Sequence, residues 1–224
     1  GVAGRAAAAT RRPADAVAGA SIATGSPLPG LRSLILFIHG FGSCGWGEKS
    51  LQLRRHFGVG QLLAPDLPFH PLAAVRHLEG LLRRYPVRAL IGSSLGGFFA
   101  TWLNRRADYP SVLINPVVHP QHLLSQHLGT QYRWCERMRL EVGDDSLDAL
   151  RRLDRIETTP SERYLVLLQE GDEVLDYREA ATYYRPKCFE IIPGGNHRFV
   201  DFSDQLPLIA DWIQTHPTHH AQET

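Results

Sequence analysis

From Leu34 onward the chain alternates short, uninterrupted apolar runs with longer stretches of helical spacing. The runs are Leu34–Ile38, the weaker Gln61–Asp66, Ala89–Ile91, Ser111–Asn115, Tyr164–Leu168 and Phe189–Ile192. Each has the length of a strand and none alternates polar with apolar, so strands buried on both faces of a parallel sheet are expected. Helices are predicted between them. Glu48–His56 sets Leu51 and Leu53 among charges, and Pro71–Arg84 opens on proline and repeats Leu72, Val75, Leu78, Leu81 and Leu82 at helical spacing. Gly97–Arg106 is a strongly apolar helix directly after the third run, and Asp201–Thr215 closes the pattern with Leu206, Leu208, Ile209, Trp212 and Ile213. The fold class is therefore α/β: a compact, mainly parallel sheet of about six strands with helices on both faces.

Three stretches stand outside this rhythm. Gly1–Gly30 is built mostly of Ala, Gly, Arg, Ser and Pro and reads as a tail with too little apolar surface to fold. It lacks the continuous apolar core of a secretory signal. Residues 31–215 are expected to form one domain, with a second short tail over 216–224. Within the domain, Leu128–Glu162 is rich in Arg, Asp and Glu, is helical in its middle over Leu147–Ile156, and falls between the fourth and fifth strands. Such an insertion reads as a lid or pocket wall.

Composition narrows the partners. Lys and Arg number 24 against 23 Asp and Glu, a formal charge of +1, so nothing electrostatic points to nucleic acid or an anionic membrane. The longest apolar run is far short of the roughly 20 residues of a membrane span. Three widely spaced cysteines, Cys44, Cys135 and Cys188, make neither a disulfide scaffold nor a zinc site and suit a reducing cytosol, so a cytoplasmic location is expected.

The sharpest chemical signal is Gly92-Ser93-Ser94-Leu95-Gly96-Gly97, a G-x-S-x-G pattern centred on Ser94 with an apolar strand before it and a helix after it. Small residues around Ser94 permit a tight turn that lifts its hydroxyl to the carboxyl edge of the sheet. A serine hydroxyl needs a base. Among eleven histidines, His197 is the candidate, because Gly194-Gly195-Asn196-His197 follows the last apolar run and lies at the same sheet edge. A carboxylate must orient the imidazole, and four acids crowd the loop after the fifth strand. Asp172, next to the strand-ending Gly171, ranks first and Asp176 second; Glu170 and Glu173 read as solvated. The order Ser94, Asp172, His197 is that of α/β-hydrolases. The first strand ends in His39-Gly40-Phe41-Gly42-Ser43, whose glycines let the backbone approach an oxyanion, so the N–H groups of Phe41 and Leu95 are the expected oxyanion hole.

Together Ser33–Ser43, Ile91–Trp102, Ile114-Asn-Pro116, Leu168–Tyr177 and Gly194–Phe199 resemble the YqiA-type bacterial esterases of the α/β-hydrolase superfamily, over about Leu31–Ile213. The chain departs from the group in its N-terminal tail and over Gln131–Ser161. The resemblance implies a compact α/β-hydrolase fold with Ser94 as nucleophile, Asp172 as acid and His197 as base, and esterase activity on short acyl esters.

The expected function is thus a serine carboxylesterase acting on a small-molecule acyl ester, without metal or organic cofactor. A thioesterase with the same triad is one alternative. A non-catalytic ligand- or partner-binding member of the fold is the other. His39, Trp46, Trp134 and Tyr177 are the candidates for the substrate pocket, and the modest apolar content of Leu128–Glu162 predicts short acyl groups.

Overall fold

The computed structural model describes residues 33–133, 135, 139–154, 157–185 and 187–218. The expected N-terminal tail, Trp134 and the end of the C-terminal tail lie outside these residues. In chain order the elements are β1 (Leu34–Ile38), α1 (Glu48–Phe57), β2 (Leu62–Leu63), α2 (Pro71–Arg84), β3 (Val87–Ser93), α3 (Leu95–Ala107), β4 (Ser111–Ile114), α4 (Pro120–Ser125), β5 (Gly129–Tyr132), β6 (Arg139–Val142), α5 (Asp144–Leu153), β7 (Tyr164–Gln169), α6 (Tyr177–Tyr183), β8 (Cys188–Ile192) and α7 (Leu206–Thr215).

Six strands form one sheet in the order β2-β1-β3-β4-β7-β8, and every pairing is parallel. The unbroken apolar runs serve two cores at once. In β1, Ile35 and Phe37 join Leu53 of α1 and Ile209, Trp212 and Ile213 of α7. Leu36 and Ile38 join Leu78 of α2 and Leu103 of α3 on the opposite face. Helices therefore cover both faces of the parallel sheet. α3 is buried at every position from Leu95 to Asn104, because it packs centrally beneath β3 and β4. Parallel pairing brings the loops after β1, β3, β4, β7 and β8 to a single edge, and that edge carries the site.

Several expectations change. Phe189–Ile192 is not buried on both faces: β8 is the sheet's outer strand and its residues are exposed or half-buried. The run at Gln61–Asp66 yields only two strand residues, at the opposite edge. The last helix starts at Leu206, preceded by a short 3-10 turn at Phe202–Gln205. Helices α4 and α6 are too short to leave a periodic signature, and the insertion contains an antiparallel β5–β6 hairpin before α5.

The cysteines depart furthest from expectation. Cys44 and Cys135 form a disulfide with Cα atoms 6.2 Å apart, joining the loop after β1 to the insertion, while Cys188 is free and exposed. Cross-linked thiols persist mainly in oxidising surroundings, so the argument from cysteine usage to a reducing cytosol no longer holds. Among the described residues, no helix is long and apolar enough to cross a membrane.

Candidate active site

Ser94 sits between β3 and α3 at φ 54° and ψ −119°, a backbone conformation that costs a non-glycine residue about 1–3 kcal/mol. The turn is held on both sides. Ser94 N–H donates to the Ile114 carbonyl (3.0 Å), and the Ser94 carbonyl accepts from the N–H groups of Gly97 (2.9 Å) and Val117 (3.2 Å). Close packing of α3 against β1 requires Gly96 to lack a side chain, since a Cβ there would fall onto the Ile38 carbonyl.

His197 lies 103 residues further on, in the loop after β8, with Nε2 3.0 Å from Ser94 Oγ. Its Nδ1 is 2.8 Å from Asp172 Oδ2 and 3.0 Å from Oδ1. A carboxylate only accepts, so Nδ1 carries the proton and Nε2 is left to accept from the Ser94 hydroxyl. The Asp172 side chain is 2% exposed, and its Oδ1 also accepts from the N–H groups of Val174 and Leu175, both at 2.9 Å. The carboxylate is thereby oriented before it meets the imidazole.

The competing acids have other partners. Asp176 caps α6, accepting from Arg178 N–H at 3.0 Å. Glu170 accepts from the Tyr177 hydroxyl at 3.2 Å. Glu173 is exposed but does more than face solvent: it accepts the His197 backbone N–H at 2.9 Å, and that bond is the main cause holding its carboxyl below the usual range.

The loop after β1 is braced from behind. Buried His39 accepts Leu67 N–H at Nε2 (3.1 Å), so its Nδ1 carries the proton and donates to the Gly40 carbonyl (2.8 Å). Burial pushes the His39 pKa down; the Gly40 bond opposes this and the nearby Arg133 adds to it. The ring is therefore a neutral strut. Asp66 accepts Gly45 N–H at 2.7 Å further along the same loop. Among the described residues the N–H groups of Phe41 and Leu95 make no loop or cap hydrogen bond, and Leu95 is the first residue of α3, where an N–H has no partner within the helix.

These groups surround a cavity of about 620 Å³, whose wall includes His39, Phe41, Lys49, Ser94, Glu173 and His197. The disulfide brings the insertion into that wall through Cys135, and Arg133 and Leu140 line a small adjoining cavity with Phe41 and Leu95. Another cavity, of about 640 Å³ beside His119 and Tyr183, contains neither Ser94 nor His197. Two pocket expectations need correction. Trp46 is 51% exposed and is not part of the wall, because the turn between Cys44 and α1 carries it to the surface. Tyr177 packs against the core beneath α6 with its hydroxyl on Glu170, outside the cavity. Trp134 lies outside the described residues.

Sequence reasoning missed Lys49. Its Nζ donates to the Arg198 carbonyl at 2.6 Å, and burial lowers its pKa to about 8. A lysine in a charged helix start gives no signal of this, since its partner is 149 residues away. Among the described residues no group of three or more His, Cys, Asp or Glu could hold a metal ion.

Relatives in sequence and in structure span most of the chain. A UPF0227 protein of Yersinia pseudotuberculosis is 28% identical over 192 residues, covering 79% of this chain and 96% of the relative. A UPF0227 protein of Yersinia pestis matches to the same extent. Among solved structures, Est1E of Butyrivibrio proteoclasticus with ferulic acid bound superposes with a TM-score of 0.60 at 13% identity, over 83% of this chain and 89% of that one. Mouse alpha/beta hydrolase domain-containing protein 10 superposes with a TM-score of 0.60 at 16% identity, over 81% and 89%. A monoacylglycerol lipase of Paleococcus ferrophilus gives 0.59 at 16% identity, over 83% and 95%. The structural likenesses establish the α/β-hydrolase fold. The family model described as an uncharacterised protein family, UPF0227, matches residues 34–214, and the chain belongs to that family.

Proposed function

We propose that the protein is a serine hydrolase of the carboxylesterase type, cleaving short-chain acyl esters through an acyl-enzyme on Ser94. The observation that carries this reading is the continuous chain of contacts from Ser94 Oγ to His197 Nε2 (3.0 Å) and from His197 Nδ1 to Asp172 Oδ2 (2.8 Å), beside an accessible cavity. The esterase and lipase among the proteins of similar fold support it as analogues.

In this mechanism His197 Nε2 takes the Ser94 hydroxyl proton as Oγ attacks the ester carbonyl carbon. The tetrahedral oxyanion is held by the N–H groups of Phe41 and Leu95. The imidazolium, steadied by Asp172, gives its proton to the departing alcohol oxygen as the C–O bond breaks. Water then attacks the acyl-enzyme, His197 takes its proton, and collapse releases the acid and restores Ser94. From the insertion, Cys135 lines the cavity at Ser94 and Arg133 and Leu140 line the small cavity beside it, which supports reading the insertion as a pocket wall. Of these three insertion residues only Leu140 is a large apolar side chain, so the insertion covers little of a long acyl chain, and each CH₂ left in water forgoes about 0.8 kcal/mol. Catalytic efficiency should therefore fall beyond roughly eight carbons.

The test is a series of p-nitrophenyl esters and acyl thioesters of increasing chain length, run on the full chain. Hydrolysis of short oxygen esters, lost in Ser94→Ala and largely kept in Ser93→Ala, is expected. Turnover of thioesters alone would reassign the leaving group, and hydrolysis surviving Ser94→Ala would remove the proposed nucleophile.

A further inference from the structure

We propose that Gln169 and Asn115 are positioning residues for His197: two buried side-chain amides that fix the histidine-bearing loop over Ser94. The inference deepens the hydrolase reading above and rests on it.

The loop from Pro193 to Asp201 contains no strand or α-helix. It leaves β8, which is exposed and at the edge of the sheet, so no neighbouring strand holds it. Gln169, the last residue of β7, is 3% exposed and makes three bonds to it. Its Oε1 accepts the N–H groups of Asn196 (3.0 Å) and Val200 (2.9 Å), and its Nε2 donates to the Val200 carbonyl (2.8 Å). Asn115, just beyond β4, is 2% exposed and donates through Nδ2 to the carbonyls of Asn196 (3.1 Å) and His197 (3.3 Å). Its Oδ1 accepts Gln169 N–H at 3.0 Å, joining the two amides. Every partner is a backbone group of fixed polarity, so the orientation of both amides follows from the partners themselves.

The loop bonds fall at residues 196, 197 and 200, on both sides of the imidazole. Two further features accompany these bonds. Gly195 has φ +78°, and a Cβ there would fall onto the Gln169 side chain. Asn115 holds φ 40°, a left-handed conformation that asparagine accepts more readily than most residues. With His197 N–H on Glu173 and Nδ1 on Asp172, the residue's remaining ring nitrogen faces Ser94. Besides the amides and the two acids, the loop is held by buried Phe199, by Gly171 N–H donating to the Gly194 carbonyl (2.7 Å) and by Lys49 Nζ donating to the Arg198 carbonyl (2.6 Å).

The experiment compares Gln169→Leu, which removes all three loop bonds, with Gln169→Glu, which keeps acceptors for both N–H groups. Folding is checked by thermal unfolding, and turnover is measured with p-nitrophenyl acetate. A displacement of the order of 1 Å in a reacting group costs about 100-fold, so kcat of Gln169→Leu should fall about that far with KM nearly unchanged. Gln169→Glu should recover a substantial part of kcat. The His197 Nδ1 proton, observed in uniformly ¹⁵N-labelled protein, should be a sharp low-field resonance in the wild type and broaden or vanish in Gln169→Leu. If Gln169→Leu does not fold, Asn115→Asp, which removes the donors to Asn196 and His197, takes its place with the same expected losses. A folded variant with wild-type kcat and an unchanged Nδ1 resonance would overturn the proposal. Inactivity of the wild type would instead overturn the hydrolase reading, and the resonance would still decide whether the amides position His197.

Discussion

At the scale of single residues, the site depends on groups that must be absent as much as on those present. Gly96 lets α3 approach β1, and Gly96→Ala should cost about 3 kcal/mol or more, since the overpacked atom is rigid backbone at Ile38. Chemical denaturation of the purified variant measures this directly. Lys49 gives a pH signature. Its folded value is about 8 against an ordinary 10.5, so between those values the folded protein has released a proton that the unfolded chain still holds. Raising the pH through that window therefore favours the folded state. Wild type should gain stability relative to Lys49→Met from about pH 8 upward, and parallel stability curves would show that Lys49 does not titrate this way. Ser94 and His197 were legible in the sequence because each stands directly after an apolar run, Ser94 within a pattern whose turn geometry is specific. The preference for Asp172 over Asp176 came from proximity to the strand end, and Asp176 proves to cap a helix. Gln169, Asn115, Glu173 and Lys49 carry no comparable signal in the sequence. Their contacts to the histidine loop cross 24 to 149 residues of chain and leave no local pattern.

At the scale of elements, the central strands β1, β3, β4 and β7 were readable because burial on both faces demands unbroken apolar runs. An edge strand with the same residues, β8, gives the same signal, so sequence alone could not distinguish exposure there. The hairpin of β5 and β6 was hidden by its charge: Thr130, Arg139 and Glu141 bond to one another on its exposed face. The insertion that contains it is tied to the loop after β1 by Cys44–Cys135, a bridge between residues 91 apart. Loop-closure entropy over that span corresponds to up to about 4.6 kcal/mol in the chain-entropy model. Adding a thiol reductant should lower the Tm by about 10 °C, while a Cys44→Ser/Cys135→Ser variant should unfold at the lower temperature with or without reductant. Thermal scans of the two proteins check this, and a wild-type Tm indifferent to reductant would mean that the insertion is held by its other contacts. Loss of the bridge should also weaken selection by acyl chain length, because Cys135 is part of the cavity wall.

At the scale of the whole molecule, the all-parallel sheet turns residues scattered from position 39 to position 197 into one edge. The sheet supplies placement and both cores supply rigidity, so removing one hydroxyl at that edge should leave the fold nearly untouched. The central claim is that Ser94 is a nucleophile activated by His197. Its most direct test is labelling with a fluorophosphonate probe, followed by peptide mapping of the modified residue in wild type, Ser94→Ala, Ser93→Ala and His197→Ala, each shown to be folded. The account predicts covalent modification of Ser94 in wild type and Ser93→Ala, none in Ser94→Ala, and greatly slowed labelling in His197→Ala. A folded wild-type protein that the probe never modifies at Ser94, or one labelled equally fast without His197, would contradict it.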